Sequence, residues 1–119
     1  MKAVSSVLIA ALRPHPINRV QFSWSQFKQV PAVSGCYVLT NFSGEVLYVG
    51  QASTSIRDRF CAHLETPEKR ALGPFGVPFW CYFLPYDKQK ISLLEQGWMN
   101  QVVLNTGSRP ILNKLDAPI

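Results

Sequence analysis

Charged residues are scarce in this sequence, and paired cysteines and long apolar runs are absent from it. Only 16% of the 119 residues are Asp, Glu, Lys or Arg, while 47% are hydrophobic and 12% aromatic, which excludes an intrinsically disordered chain. No apolar run reaches the ~18 residues that a membrane-spanning helix needs. A chain of this length has room for one hydrophobic core, so the sequence predicts a single compact domain.

The cysteines Cys36, Cys61 and Cys81 form no Cys-x-x-Cys pair, which excludes the common zinc and redox motifs. Their odd number argues against a disulfide framework. We therefore expect buried free thiols, a reducing intracellular environment and a cytoplasmic location. The apolar stretch after Lys2 is similar to a short signal peptide, but no small-x-small cleavage site follows it, and its spacing favours a packing helix over residues 1–12.

Basic residues outnumber acidic ones by 12 to 7, giving a net charge of +5 and a pI of about 9.4. A positive excess attracts anionic partners, of which nucleic acid is the commonest. The same excess is also consistent with ordinary solubility, so charge alone does not identify the partner. We expect no membrane partner.

Three segments have the β-branched and aromatic composition of strands. Residues 36–40 and 45–49 flank a polar turn and predict an antiparallel hairpin. Residues 77–84 predict a third strand. Residues 1–34 are mixed in pattern and contain prolines, so we expect them to form a lead-in outside the sheet, with short helices such as one over residues 23–30.

Two longer helices are predicted. The first covers residues 55–65 and has apolar residues at every fourth position. The second covers about 86–104, and Gly97 inside it is expected to mark a close approach to another element, because glycine costs about 1 kcal/mol in a helix relative to alanine. Residues 66–76 are expected to form a loop, and residues 109–113 a tail too short to belong to the core. The element order predicts an α/β sandwich with a three-stranded, mainly antiparallel sheet flanked by helices.

The hairpin contains two tripeptides that resemble those of the GIY-YIG nuclease superfamily. Gly35-Cys36-Tyr37 and Tyr48-Val49-Gly50 both keep an apolar residue where the family has isoleucine. Further residues similar to family positions follow in order, namely Arg59 on the first helix, His63, Glu95 and Asn113. The resemblance covers roughly residues 35–113, so residues 35–119 would form the nuclease domain.

The resemblance implies a metal-dependent endonuclease that hydrolyses phosphodiester bonds in DNA. Glu95 would hold one Mg²⁺ or Mn²⁺ ion, a hard cation that often takes only one or two carboxylates. Arg59 would stabilise charge on the phosphate oxygens. It shares a helix face with His63, whereas Arg57 does not.

The proton chemistry is assigned by the same resemblance. Tyr37, with Tyr48 and His63, would position the attacking water and receive its proton, although a phenol with a pKa of about 10 is a weak base by itself. Asn113 resembles the terminal asparagine of the family, and Asn105 is a competing candidate for that position.

Basic and polar residues around the hairpin are expected to contact nucleic acid. Gln51 stands where many relatives have lysine, and Lys69, Arg70 or His63 would compensate for the missing cation. Ser53 and the amides at the start of the first helix could seat a phosphate, although capping is the commoner use. The residues expected to contact DNA are Gln51, Ser53, Arg57, Lys69 and Arg70.

A second hypothesis is a module that keeps the nuclease fold and binds branched or single-stranded nucleic acid without cutting it. The two hypotheses differ in metal dependence, because only the nuclease would need a divalent ion to act on DNA. Because the nuclease core nearly fills the chain, we expect target choice to come from residues 1–34, from residues 66–76, from a homodimer or from a partner protein.

Overall fold

The computed structural model describes residues 7–70 and 76–115 as one four-stranded sheet with helices on both faces. None of the helices in that part of the chain is both long and apolar enough to cross a membrane. The strands are β1 (Asn18–Gln21), β2 (Gly35–Thr40), β3 (Val46–Ala52) and β4 (Trp80–Pro85). The α-helices are α1 (Ile56–Leu64), α2 (Ile91–Thr106) and α3 (Ile111–Leu115), and short 3-10 turns cover Ile9–Ala11, Trp24–Gln29 and Pro67–Lys69.

The sheet is antiparallel throughout, with strand order β1-β4-β2-β3. The predicted hairpin is confirmed as β2 and β3, and the predicted third strand as β4, which begins at Trp80. The predicted number of three strands is wrong, because β1 pairs with β4 and adds a fourth. Only Val20 of its four residues is buried, so β1 carries too little periodicity to be recognised in the sequence.

Each face of the sheet has its own apolar core. Side chains alternate along β2, so that Tyr37 and Leu39 face α1 while Cys36 and Val38 face α2. Trp98 of α2 is completely buried in the second core. The three cysteines are free; Cys36 and Cys81 are buried as predicted, and Cys61 is half-buried.

Helix α1 matches its prediction to within one residue at each end, whereas α2 matches its prediction better at the C-terminal end than at the N-terminal end. Helix α1 begins after Ser55, whose hydroxyl accepts a hydrogen bond from the Asp58 amide at 3.1 Å. Helix α2 begins only at Ile91, because residues 87–90 form a separate turn. It ends at Gly107, which adopts a left-handed conformation with φ of 85°. The close approach predicted at Gly97 is wrong: an added Cβ would meet no described atom within 4 Å.

Residues 7–34, the described part of the predicted lead-in, belong to the folded domain, and none of them forms an α-helix. Residues 7–12 form a β-bridge from Leu8 to Glu45 and the 3-10 turn Ile9–Ala11. The first six residues of the predicted helix lie outside the described part of the chain. The indole of Trp98 donates to the Pro14 carbonyl at 2.8 Å, which fixes this segment on α2.

The C-terminal segment also belongs to the core, contrary to the prediction for residues 109–113. Helix α3 packs on β3, and Leu112 and Asn113 are buried. A five-residue helix is too short for a readable period, so only its contacts reveal it. Within the predicted loop at residues 66–76, Pro67–Lys69 forms a 3-10 turn, and residues 71–75 lie outside the described residues.

Candidate active site

The glycines of the two tripeptides allow close contacts that a side chain would block. Tyr37 pairs with Gly50 across the hairpin, and Tyr48 lies on the same face of β3. A Cβ on Gly50 would lie 2.5 Å from Cζ and Oη of Tyr37 and 2.8 Å from Cε2 of Tyr48. A Cβ on Gly35 would collide with the backbone of β4. The tripeptide spacing therefore places the Tyr37 ring directly over Gly50 and next to Tyr48.

The Tyr37 hydroxyl joins two strands to α1. It lies 2.7 Å from Nε2 of His63, and the side chains of Arg59 and Tyr48 lie close enough to it to lower its pKa. The Arg59 guanidinium is also close enough to Tyr48 for the two groups to interact electrostatically. The two tyrosine rings stack with centroids 6.1 Å apart, and His63 packs edge-on against Tyr48 at 4.8 Å. We call these four side chains, Tyr37, Tyr48, Arg59 and His63, the tyrosine cluster.

Burial sets the protonation of this cluster. Tyr37 is only 1% exposed, and desolvation raises its pKa to about 12, against the opposing effects of Arg59 and Tyr48. The phenol is therefore neutral near pH 7. The neighbouring tyrosines raise the pKa of Arg59, whose side chain remains exposed to solvent. Arg59 thus presents a permanent positive charge beside two hydroxyls.

A cleft of about 580 Å³ opens beside the cluster, and Glu95 of α2 lies in its wall. Oε1 of Glu95 accepts a hydrogen bond from Nε2 of Gln51 at 2.9 Å. The side-chain oxygen Oε1 of Gln51 accepts one from the Ser92 hydroxyl at 3.2 Å. Partial burial raises the pKa of Glu95, while Gln51 and the positive charge of Arg109 lower it. The cleft is lined by Tyr48, Glu95, Gln96, Met99, Asn100, Val103, Arg109 and Asn113.

The donors in this cleft fit a hard divalent cation. Within residues 7–70 and 76–115, no group of three or more His, Cys, Asp or Glu side chains could hold a metal. A cation in the cleft would therefore have Glu95 as its acidic ligand, with amide oxygens such as those of Gln96 and Asn100 in the same wall. Magnesium accepts such a site, because it retains several waters and often takes one carboxylate.

Asn113 is the better candidate of the two asparagines by location. Its Oδ1 accepts from the Val49 amide and its Nδ2 donates to the Val49 carbonyl, both at 2.9 Å. Because β3 is an edge strand, these bonds replace those of a missing neighbouring strand. Asn105 is exposed and donates to the Gln101 carbonyl of its own helix. Asn113 thus closes the sheet edge at the cleft.

The first four backbone amides of α1 are not available to the phosphate seat predicted there. The backbone amides of residues 56–59 already donate hydrogen bonds to the carbonyls of Val33, Pro31 and Ser55 and to the Oγ atom of Ser55. Ser53 is exposed and lines a small cleft of about 150 Å³ with Arg59. Arg57 donates to the carbonyls of Val30 at 2.8 Å and Lys28 at 3.1 Å, so its guanidinium holds the preceding segment in place.

Lys69 and Arg70 occupy different environments although they are adjacent. Lys69 is only 3% exposed, and its ammonium lies 4.8 Å from the centroid of the Tyr48 ring. Arg70 is exposed and donates to the Leu64 carbonyl at 3.3 Å. Of the residues expected to compensate for Gln51, the structure therefore brings Lys69 and His63 to the tyrosine cluster.

Arg109 lies in the cleft wall with Glu95 and was not among the residues predicted from the sequence. Its one signal was its closeness in sequence to Asn113, and the docking of α3 that carries Arg109 to the cleft has no local signature. No protein-family model matches the chain, and no curated protein matches it.

Proposed function

We propose that the protein is a metal-dependent endonuclease that hydrolyses DNA phosphodiester bonds through a GIY-YIG active site. The observation that carries the proposal is the tyrosine cluster itself: Tyr37 contacts His63 at 2.7 Å and packs against Tyr48, the charge of Arg59 acts on both tyrosines, and Tyr48 lines the cleft that contains Glu95. A cation, a proton-handling group and a carboxylate are the components that phosphoryl transfer requires.

Arg59 is suited to bind the phosphate that is attacked. Its exposed guanidinium can donate to two phosphate oxygens at once, and it remains charged at every relevant pH. Negative charge increases on those oxygens as water adds to phosphorus and the bond to the leaving sugar oxygen breaks. A fixed cation therefore binds the transition state more strongly than the substrate.

His63 supplies the base that the tyrosines lack. With its pKa raised to about 12, Tyr37 is a poor base alone. Tyr48 faces the cleft, Tyr37 lies behind it, and Tyr37 is 2.7 Å from Nε2 of His63. A proton taken from water at Tyr48 can pass through Tyr37 to the imidazole of His63. In this scheme Tyr48, and not Tyr37, contacts the water.

Glu95 would hold the divalent ion in the cleft. When bound, the ion supplies positive charge that polarises the phosphate and stabilises the leaving oxygen. Gln51 fixes the orientation of the Glu95 carboxylate through the 2.9 Å hydrogen bond. Arg109 adds positive charge to the same wall, which favours an anionic substrate.

The test compares Glu95→Gln with Glu65→Gln on supercoiled, branched and single-stranded DNA, with Mg²⁺ or with EDTA. Both variants remove one carboxylate charge, but Glu65 is exposed at the end of α1. We expect Mg²⁺-dependent cutting by the protein and Glu65→Gln, and none by Glu95→Gln. Mn²⁺ broadening of amide NMR signals near residue 95 gives a second readout, which Glu95→Gln should abolish.

Two outcomes contradict this proposal. Cutting that persists in EDTA or in Glu95→Gln would remove Glu95 from the chemistry. DNA binding of equal strength in all three proteins, with no cutting of any substrate, would favour the alternative of a nucleic-acid-binding module. DNA as the partner and an intracellular location belong to the same proposal, as does a homodimer or partner protein that supplies specificity.

A further inference from the structure

An aromatic patch lies at the hairpin end of the sheet, separate from the tyrosine cluster. It consists of Phe42, Phe79, Trp80 and Arg19. The Phe42 ring stacks against Trp80 with centroids 6.3 Å apart and meets Phe79 edge-on at 5.0 Å. The Cζ atom of Arg19 lies 3.8 Å from the centroid of the Trp80 ring. Three rings and one cation therefore form a single surface.

The patch is exposed because of its position in the sheet. Val20 and Cys81 pair across β1 and β4 and face the α1 core, so the alternating neighbours Arg19 and Trp80 face the opposite side. Helix α2 covers that side over β2 and β3. Phe42 in the turn is 71% exposed. A large apolar ring held at a turn contributes little to the core.

The turn that presents Phe42 is fixed to the sheet. The Trp80 indole donates to the Phe42 carbonyl at 3.3 Å, and the Asn41 side chain donates to Glu45 at 2.7 Å. Glu45 is the one carboxylate of residues 41–45, and this bond directs its charge to Asn41. Phe42 is thus held in place before any ligand arrives, which reduces the entropy cost of stacking.

The chemistry of the patch fits an unpaired nucleotide. A nucleobase presents an apolar π-face to an aromatic ring, and its phosphate carries the charge that an arginine binds. The net charge of +5 on the chain favours an anionic ligand, such as nucleic acid, over a protein partner whose surface has few acidic residues. Paired bases in a duplex cover both of their faces, so this patch discriminates against intact duplex DNA.

We propose that the aromatic patch binds single-stranded nucleic acid, with a base stacked on Phe42 and its phosphate on Arg19. The proposal rests on the proposed function for the class of ligand. Trp80 adjoins Cys81, which pairs with Leu39, which pairs with Tyr48. Because Cys81, Leu39 and Tyr48 face the α1 core and Trp80 faces the other side, the patch and the tyrosine cluster lie on opposite faces of the sheet. The preferred ligand is DNA that includes a single-stranded segment.

The test measures binding by fluorescence anisotropy of a labelled oligothymidine and of a matched duplex, in EDTA so that no cutting occurs. Phe42→Ala and Arg19→Ala remove the two contacts, and Phe42→Trp keeps a stacking ring. Leu104→Ala removes another exposed apolar side chain, 84% exposed on α2, and Lys28→Ala removes another exposed charge. Circular dichroism verifies that each variant is folded.

We expect Phe42→Ala to weaken single-strand binding by about fivefold or more, the smaller end of what one stacked base contributes. Duplex binding should change much less, Phe42→Trp should bind as the unmodified chain, and Arg19→Ala should lose more affinity than Lys28→Ala. An iododeoxyuridine oligonucleotide should crosslink to the peptide containing Phe42.

Unchanged single-strand affinity in Phe42→Ala would overturn the proposal, as would equal losses on single-strand and duplex DNA. Sedimentation velocity without DNA tests whether the patch instead binds a second copy of the chain. A dimer that Phe42→Ala dissociates would assign the patch to self-association. Failure of the nuclease proposal is distinguishable, because loss or persistence of cutting in Glu95→Gln has no influence on affinities measured in EDTA.

Discussion

Alanine in place of glycine at positions 50 and 97 is expected to change the free energy of unfolding in opposite directions. The chemical change is the same, one added methyl group. At Gly97 the new Cβ meets no described atom within 4 Å, and the residue lies inside α2. At Gly50 the same Cβ would lie 2.5 Å from Tyr37 and 2.8 Å from Tyr48.

The magnitudes follow from these distances. Gly97→Ala removes backbone freedom from the unfolded chain and should stabilise the protein by about 0.5–1 kcal/mol. Gly50→Ala forces a buried ring to move, and overpacking of this kind costs about 1–3 kcal/mol. Tyr37 has little space to move into, since it is 1% exposed and its hydroxyl is bonded to His63 at 2.7 Å.

Urea unfolding followed by circular dichroism measures both effects, with the slope of the transition as a check on the unfolded state. We also expect Gly50→Ala to lose cleavage activity by more than its stability loss explains, since it displaces the tyrosine cluster. Gly97→Ala should retain full activity. A Gly50→Ala protein as stable and active as the unmodified chain would refute the packing of Tyr37 over Gly50.

Three further predictions concern single side chains. Tyr37→Phe should lower the free energy of unfolding at neutral pH. Because the pKa of Tyr37 is about 12 in the folded chain and about 10 in the unfolded one, the stability advantage of the unmodified chain over the variant is complete below pH 10 and declines by about 1.4 kcal/mol per pH unit above it. Urea titrations between pH 8 and 11 will measure this decline. Asn113→Asp leaves the buried Val49 carbonyl without its donor and should cost about 1–3 kcal/mol, whereas Asn105→Asp on the surface should cost far less in the same assay. Lys69→Met should lower stability by up to about 2 kcal/mol in the same urea assay, because it removes a desolvated cation–π contact with Tyr48, and an unchanged stability would contradict that contact.

The hairpin and α1 were predictable because their signals are local. Strand composition on both sides of a polar turn is enough to pair β2 with β3, and a row of apolar residues at every fourth position defines α1. The antiparallel register then follows from the turn, so the placement of Tyr37 and Tyr48 on one face of the hairpin is a local property of the chain.

The start of α2 and the lead-in were less predictable for the opposite reason. Residues 87–90 have no feature that prevents helix formation, and a separate turn there is a matter of packing. Val20 gives β1 one buried residue, so its place in the sheet depends on the edge that β4 offers. Gly97 was misread because a glycine in a helix can mark either a close contact or none.

The sequence alone determined the kinds of side chain available for chemistry and the spacing that puts two tyrosines beside a glycine on adjacent strands. It could not determine which distant residues reach them. The docking of α3 brings Arg109 and Asn113 to the cleft, the 3-10 turn Pro67–Lys69 buries Lys69 against Tyr48, and the pairing of β1 with β4 places Arg19 on Trp80. Each is a contact between residues far apart in the chain, formed because it buries surface or pairs polar groups, and tertiary packing alone decides which pairs meet.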